Sequence, residues 1–107
     1  MQHSRIDSLT KQLMRHAAVF YERESNRTSL ITITNCMISP DSKKATIFIS
    51  VLPESGEEQA VEFMNRRTQD LRDYLKKNLK TKIIPYVTIE IDRGEKNRWA
   101  VDRALKT

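Results

Sequence analysis

From Ala45 to Val51 the apolar residues alternate: Ala45, Ile47, Ile49 and Val51 fall on one side of an extended chain, with Thr46, Phe48 and Ser50 on the other. A period of two marks a strand with one buried face, so the chain must supply that strand with neighbours and a cover. The helical cover begins upstream. Ile6, Leu9, Leu13, Ala17, Phe20 and Tyr21 step by threes and fours from Ser4 to about Glu24, one stripe along an α-helix. Ser4 followed by Asp7 fits its N-terminal cap, and polar Ser25–Ser29 reads as a connection. The run LITITNCMIS is rich in β-formers, and Ser39-Pro40-Asp41-Ser42-Lys43 separates it from KATIFISVL. Proline fixes φ and the Ser and Asp side chains bond the local backbone, which gives an antiparallel hairpin with a longer loop.

Pro53-Glu54-Ser55-Gly56 ends the second strand, and Ser55 with Glu58 has the spacing of a capping box. Ala60, Met64, Leu71, Leu75 and Leu79 continue a helical stripe, but Arg67 and Thr68 stand where another apolar residue is due. One helix over residues 57–80 would run about 36 Å at 1.5 Å per residue. That is long beside a three-stranded sheet, so a break is expected near residues 65–69. IIPYVTIEID (Ile83–Asp92) reads as a third strand, with Ile83, Val87, Ile89 and Ile91 on one side and Ile84, Tyr86, Thr88 and Glu90 on the other. Pro85 cannot donate to a ladder and belongs at a strand start or edge; Arg93-Gly94 ends the strand. Beyond it, Trp99, Val101 and Leu105 sit amid dense charge in what reads as a short terminal helix. The fold class is therefore α+β: one domain over residues 1–92, of order αββααβ, its three-stranded sheet packed on helices, with a C-terminal tail over 93–107.

Composition narrows the function classes. Leu, Ile, Val and Phe supply 26 of the 107 residues, enough for one core. No apolar run approaches the roughly 18 residues of a membrane span, and the charges in the first twenty residues fit neither a span nor a signal peptide. A single cysteine, Cys36, builds neither a disulfide nor a zinc site. A small, soluble, intracellular domain is what these exclusions leave, and the cytoplasm is its expected location. Its net charge is +5, with a pI near 9.6, and the excess is concentrated. Residues 65–82 hold seven basic and two acidic side chains, whereas residues 29–64 are net acidic. A clustered excess suits a polyanionic partner better than a diffuse one.

The cluster is Arg66, Arg67, Arg72, Lys76, Lys77, Lys80 and Lys82. Arg72 and Lys76 are spaced i,i+4, with Arg66 and Arg67 one to two turns earlier, so several can share the face opposite Leu71, Leu75 and Leu79. Long cationic side chains are what phosphates require. The competing reading is an ordinary solvated helix face, with Asp70 and Asp73 making local pairs. Phe48 and Tyr86 share the strand parity opposite the main isoleucines. They either form a second small core, with Trp99 anchoring the tail, or offer an open face for base stacking. His3 and His16 lack further ligands, Cys36 lacks a base, and Asp41, Asp92 and Asp102 are scattered. Gly56 and Gly94 lie in separate turns and make no phosphate loop. No active site, cofactor or metal is expected.

Ile38-Ser39-Pro40-Asp41-Ser42-Lys43-Lys44-Ala45-Thr46-Ile47-Phe48-Ile49-Ser50-Val51, together with Asn65-Arg66, Arg72, Leu79–Lys82 and Ile84–Val87, resembles the ribosome-binding factor A family over about residues 4–92. Two strings depart from it: Glu24-Ser25-Asn26-Arg27 replaces an Asp-Pro-Arg-type turn, and Arg67-Thr68-Gln69 replaces an Ala-x-Gly at the helix kink. The resemblance implies a type II KH-like domain without the Gly-x-x-Gly loop. It further implies a non-enzymatic monomer that binds the immature small ribosomal subunit through its rRNA and assists late 16S rRNA maturation, including the 5′ region. It admits an assembly GTPase as a second partner. Two other readings of the same residues are a generic KH-like nucleic-acid-binding module and a protein-interaction α+β domain that binds no RNA.

Overall fold

The computed structural model describes residues 4–24 and 29–94, without the side chains of residues 4–7 and of Glu24. The first helix, α1, spans Ser4–Glu24 and buries Leu9, Leu13, Ala17, Phe20 and Tyr21, the expected stripe. Its cap at Ser4 and Asp7, the side chain of Ile6, and the tail with Trp99 lie outside the described residues. Strands β1 (Leu30–Ile38) and β2 (Lys44–Leu52) form the expected hairpin. Its loop is held by the residues that announced it. The Ser39 hydroxyl donates to Asp41 Oδ1 at 2.6 Å and accepts from Lys44 N–H at 3.0 Å, while Lys43 N–H donates to Asp41 Oδ1 at 3.0 Å. These bonds hold the exposed Asp41 carboxyl below its ordinary 3.8, the Ser39 hydroxyl being the largest cause and the Lys43 N–H the next.

The hairpin contains one irregularity that explains its sequence. The register runs Ile31↔Val51 and Ile33↔Ile49, then shifts, and continues Cys36↔Ile47 and Ile38↔Ala45. Thr34 is the extra residue of a bulge. A bulge exchanges the parity of the strand, so odd-numbered isoleucines before it and even-numbered Cys36 and Ile38 after it all face the helices. The Thr34 hydroxyl donates to Asp92 Oδ2 at 2.6 Å across the sheet. Burial pushes the Cys36 thiol up to about 12, so it stays protonated at neutral pH and is a core residue.

After β2 a short 3₁₀ turn, Glu54–Gly56, leads into α2 (Glu57–Arg66). The capping box does not form. Gly56 occupies the cap position and makes no side-chain bond, because the chain enters α2 directly from the 3₁₀ turn and the extended residue is Pro53. Arg67 then leaves helical geometry, with φ −105° and ψ 9°, and α3 runs Thr68–Asn78. The expected break is therefore real, and the second helix ends two residues early. Leu79 is already extended but buried, its N–H bonded to Leu75 O at 2.7 Å.

Strand β3 spans Tyr86–Ile91, shorter than the sequence suggests, and lies parallel to β2 with Ala45↔Val87, Ile47↔Ile89 and Ile49↔Ile91. A parallel return requires a long crossover, which α2 and α3 provide. Because the strand starts only after Pro85, the alternation does not reach Ile83. Ile84 is buried and Ile83 is exposed, the reverse of the simple parity. The turn after β3 is set by Gly94, at φ +98°, whose N–H donates to Asp92 Oδ1 at 2.9 Å. The sheet order is β1-β2-β3, and the element order is αββααβ. All three helices pack on one face, where Ile47, Ile49, Met64, Leu71 and Leu75 are fully enclosed. Removing such a leucine to alanine costs about 2–5 kcal/mol.

Candidate nucleic-acid interface

Packing at the α2–α3 junction fixes where the basic residues can point. Asn65, on the inner side of α2, pairs with both backbone groups of Ile89 on the outer edge of β3. Its Nδ2 donates to Ile89 O at 3.2 Å, and Ile89 N–H donates to its Oδ1 at 3.0 Å. The side-chain amide thus replaces a missing neighbouring strand at one position. Thr68 Oγ1 donates to Asn65 O at 3.1 Å, and Tyr21 OH donates to Met64 O at 2.9 Å. Burial pushes the Tyr21 hydroxyl well above its ordinary range, so it remains a donor. The break is a clamped joint between α1, α2, α3 and β3.

The seven cations divide into four sets around this joint. Arg66 lies 3.8 Å from Glu62 and Arg67 lies 3.2 Å from Asp70, so the two residues at the break have acidic neighbours on their own helices. Arg72 is half-buried. Its Nε and Nη2 both donate to Ile84 O, at 3.3 and 3.2 Å, and its guanidinium lies 4.0 Å from the centre of the Tyr86 ring. It ties α3 to the segment entering β3. Lys76 is exposed and 3.9 Å from Asp73, which also accepts from Gln69. Lys77, Lys80 and Lys82 are exposed, with no ion pair to any described residue. The end of α3 and the connection into β3 therefore keep a positive surface, while the acids near the break offset much of the charge there.

Two further lysines join that end of the sheet. Lys44 is the register partner of Tyr86, and Tyr86 N–H donates to Lys43 O at 2.8 Å. Their distance in sequence from the basic stretch hid them; only the parallel β2–β3 pairing brings them in. Asn65 was likewise legible only as part of a family string, although an amide four residues after Val61 on a buried stripe is the available signal. The two aromatics also separate. Phe48 is 2% exposed and Tyr86 64% exposed, so the two do not form a common core, and the tail with Trp99 expected to cover them lies outside the described residues.

Among the described residues no group of three or more His, Cys, Asp or Glu could hold a metal ion. His16 packs edge-on against Tyr74, with ring centres 6.1 Å apart. A cavity of about 870 Å³ between α1 and β1 is lined mainly by apolar residues such as Met14, Ala18, Ile31 and Met64, with Arg15 and Glu22 at its sides. No described helix is long and apolar enough to cross a membrane.

Fold and surface together define a single-sheet α+β domain whose described helices cover one face and whose exposed Lys77, Lys80 and Lys82, at the end of α3 and on the connection into β3, have no ion pair to a described residue. Comparison with known proteins specifies it further. The family model for ribosome-binding factor A matches residues 4–105, and the chain belongs to that family. It is 30% identical to ribosome-binding factor A of Coxiella burnetii over 89 residues, covering 79% of this chain and 75% of that protein. It is 32% identical to the Phenylobacterium zucineum protein of the same name over 80 residues, covering 69% of this chain and 55% of that one. The crystal structure of ribosome-binding factor A from Thermus thermophilus superposes with a TM-score of 0.74 at 22% identity, covering 82% of this chain and 97% of that one. A homology model of the Thermus thermophilus factor, as fitted into the cryo-EM map of a 30S complex with that factor, gives a TM-score of 0.61 at 20% identity and covers 81% of this chain and 90% of that one.

Proposed function

We propose that this chain binds the immature small ribosomal subunit by laying the end of α3 and the following connection against rRNA phosphates. In that reading it assists late maturation of 16S rRNA, including the 5′ region, and makes or breaks no bond itself. The observation that carries this is the set of exposed lysines, Lys77, Lys80 and Lys82, with no acidic partner among the described residues. Support also comes from family membership and from the 30S complex in which a Thermus relative has been placed. The αββααβ order with a mixed sheet suits the type II KH-like description.

The action follows from binding alone. A protein that holds one conformer of pre-rRNA more tightly than another shifts the population by that difference in affinity. Lysine contacts to phosphate carry no sequence information, so selectivity rests on the shape of the folded RNA. Sedimentation of cell extracts tests this. The protein is expected with free small subunits, and more with immature than with mature ones. Equal presence in whole ribosomes would contradict the assembly role, recovery of mixed cellular RNAs would favour a generic module, and a tight protein partner without RNA binding at low salt would favour an interaction domain.

A further inference from the structure

We propose that Tyr86, backed by Arg72, is a stacking site for one unpaired RNA base, set among the lysines that hold the adjoining phosphates. The proposal rests on the RNA reading above and adds to it a second kind of contact. Four observations lead to it. Tyr86 is 64% exposed, and its hydroxyl bonds no described residue, so the fold makes little use of the ring. The Arg72 guanidinium covers one face at 4.0 Å and is itself fixed by two bonds to Ile84 O, which leaves the opposite face to solvent in a set orientation. Cations flank the ring from two directions: Lys44 pairs with Tyr86 across the β2–β3 ladder, and exposed Lys80 and Lys82 lie on the connection just before it. The acids of this region are turned elsewhere or further off. Asp41 is engaged by Ser39 and Lys43 N–H, and Glu90 sits four residues along β3, opposite Phe48.

The chemistry selects an unpaired base. Every base offers a π-face, and aromatic side chains in a basic groove hold single strands by stacking on it. A paired base in an A-form helix has both faces covered and cannot use the site. A ring already held by a guanidinium loses little freedom on binding, so more of the stacking energy appears as affinity.

The test compares an unstructured single-stranded oligoribonucleotide with a duplex of the same sequence, titrated at low salt into the full chain. Tyr86→Leu keeps apolar contact with the Arg72 stem at an exposed position and removes the π-face; Tyr86→Phe retains it. Tyr86→Leu is expected to weaken single-strand binding about tenfold, with the salt slope unchanged, duplex binding unaffected and Tyr86→Phe close to the parent. The triple variant K77Q/K80Q/K82Q is expected to weaken both RNAs. Parental single-strand affinity in Tyr86→Leu, or an equal loss on the duplex, would overturn the stacking site while the lysine result still stands. Failure of the parent to bind either RNA would overturn the underlying RNA reading, and the site with it.

Discussion

At the α2–α3 break Arg66 and Arg67 sit beside Glu62 and Asp70, at 3.8 and 3.2 Å, and the backbone between them is clamped to β3 through Asn65. One helix length away, roughly 16 Å at 1.5 Å per residue, Lys77, Lys80 and Lys82 have no such neighbours among the described residues. Residues 62–70 hold two basic and two acidic side chains, whereas residues 74–82 hold four basic and no acidic ones. The difference teaches that a count of cations does not locate a binding surface; the acids and hydrogen bonds around each cation decide how much of its charge reaches solvent. The break is a joint of the fold, and the far end of α3 is where the positive potential survives.

The largest effect should come from breaking the joint. Asn65→Ala leaves Ile89 N–H and C=O without their side-chain partner and is expected to cost about 2–3 kcal/mol, the penalty of orphaned polar groups. Urea unfolding reads the loss, and RNA affinity of the folded protein should not change. Reduced affinity at unchanged stability would instead put the binding surface at the break. Arg72→Lys keeps the charge but loses the fork that grips Ile84 O. About 1 kcal/mol should disappear, seen as a melting temperature lower by about 4–8 °C for a domain of this size.

Arg66→Gln sharpens the contrast from the other side. Its pair with Glu62 is exposed at both partners, so less than about 0.5 kcal/mol is at stake, and RNA binding should barely respond. The smallest effect concerns the β1–β2 loop. The folded Asp41 carboxyl titrates below its ordinary 3.8, so its bonds to Ser39 and Lys43 contribute fully above the unfolded value. They are lost as the pH falls through the lower folded one. Faster amide exchange at Lys43 and Lys44 confined to pH below about 4 would show it; the same change near neutrality would not fit.

The parts of this fold that one-dimensional pattern encodes were legible. The bounds of β2 follow from strict alternation, and the break at Arg67 follows from an apolar residue missing where the stripe required one. What escaped depends on neighbours distant in sequence. Whether Ser55 and Glu58 cap α2 depends on how the chain leaves β2, and a 3₁₀ turn intervenes. The parity exchange at Thr34 appears only when β1 is laid against β2. Arg72 reads as one more surface cation until Ile84 O and the Tyr86 ring arrive beside it. Lys43 and Lys44 reach the basic end only through the parallel pairing of β3.

The most direct measurement is the salt dependence of binding to small-subunit RNA for the parent, for K77Q/K80Q/K82Q and for R66Q/R67Q. Each phosphate that a variant no longer neutralises should lower the slope of log affinity against log salt by about 0.7–0.9. The expected result is a slope shallower by about 2–3 in the lysine variant, with the arginine variant close to the parent. Equal slopes in the parent and the lysine variant, or the larger drop in R66Q/R67Q, would contradict an interface at the end of α3.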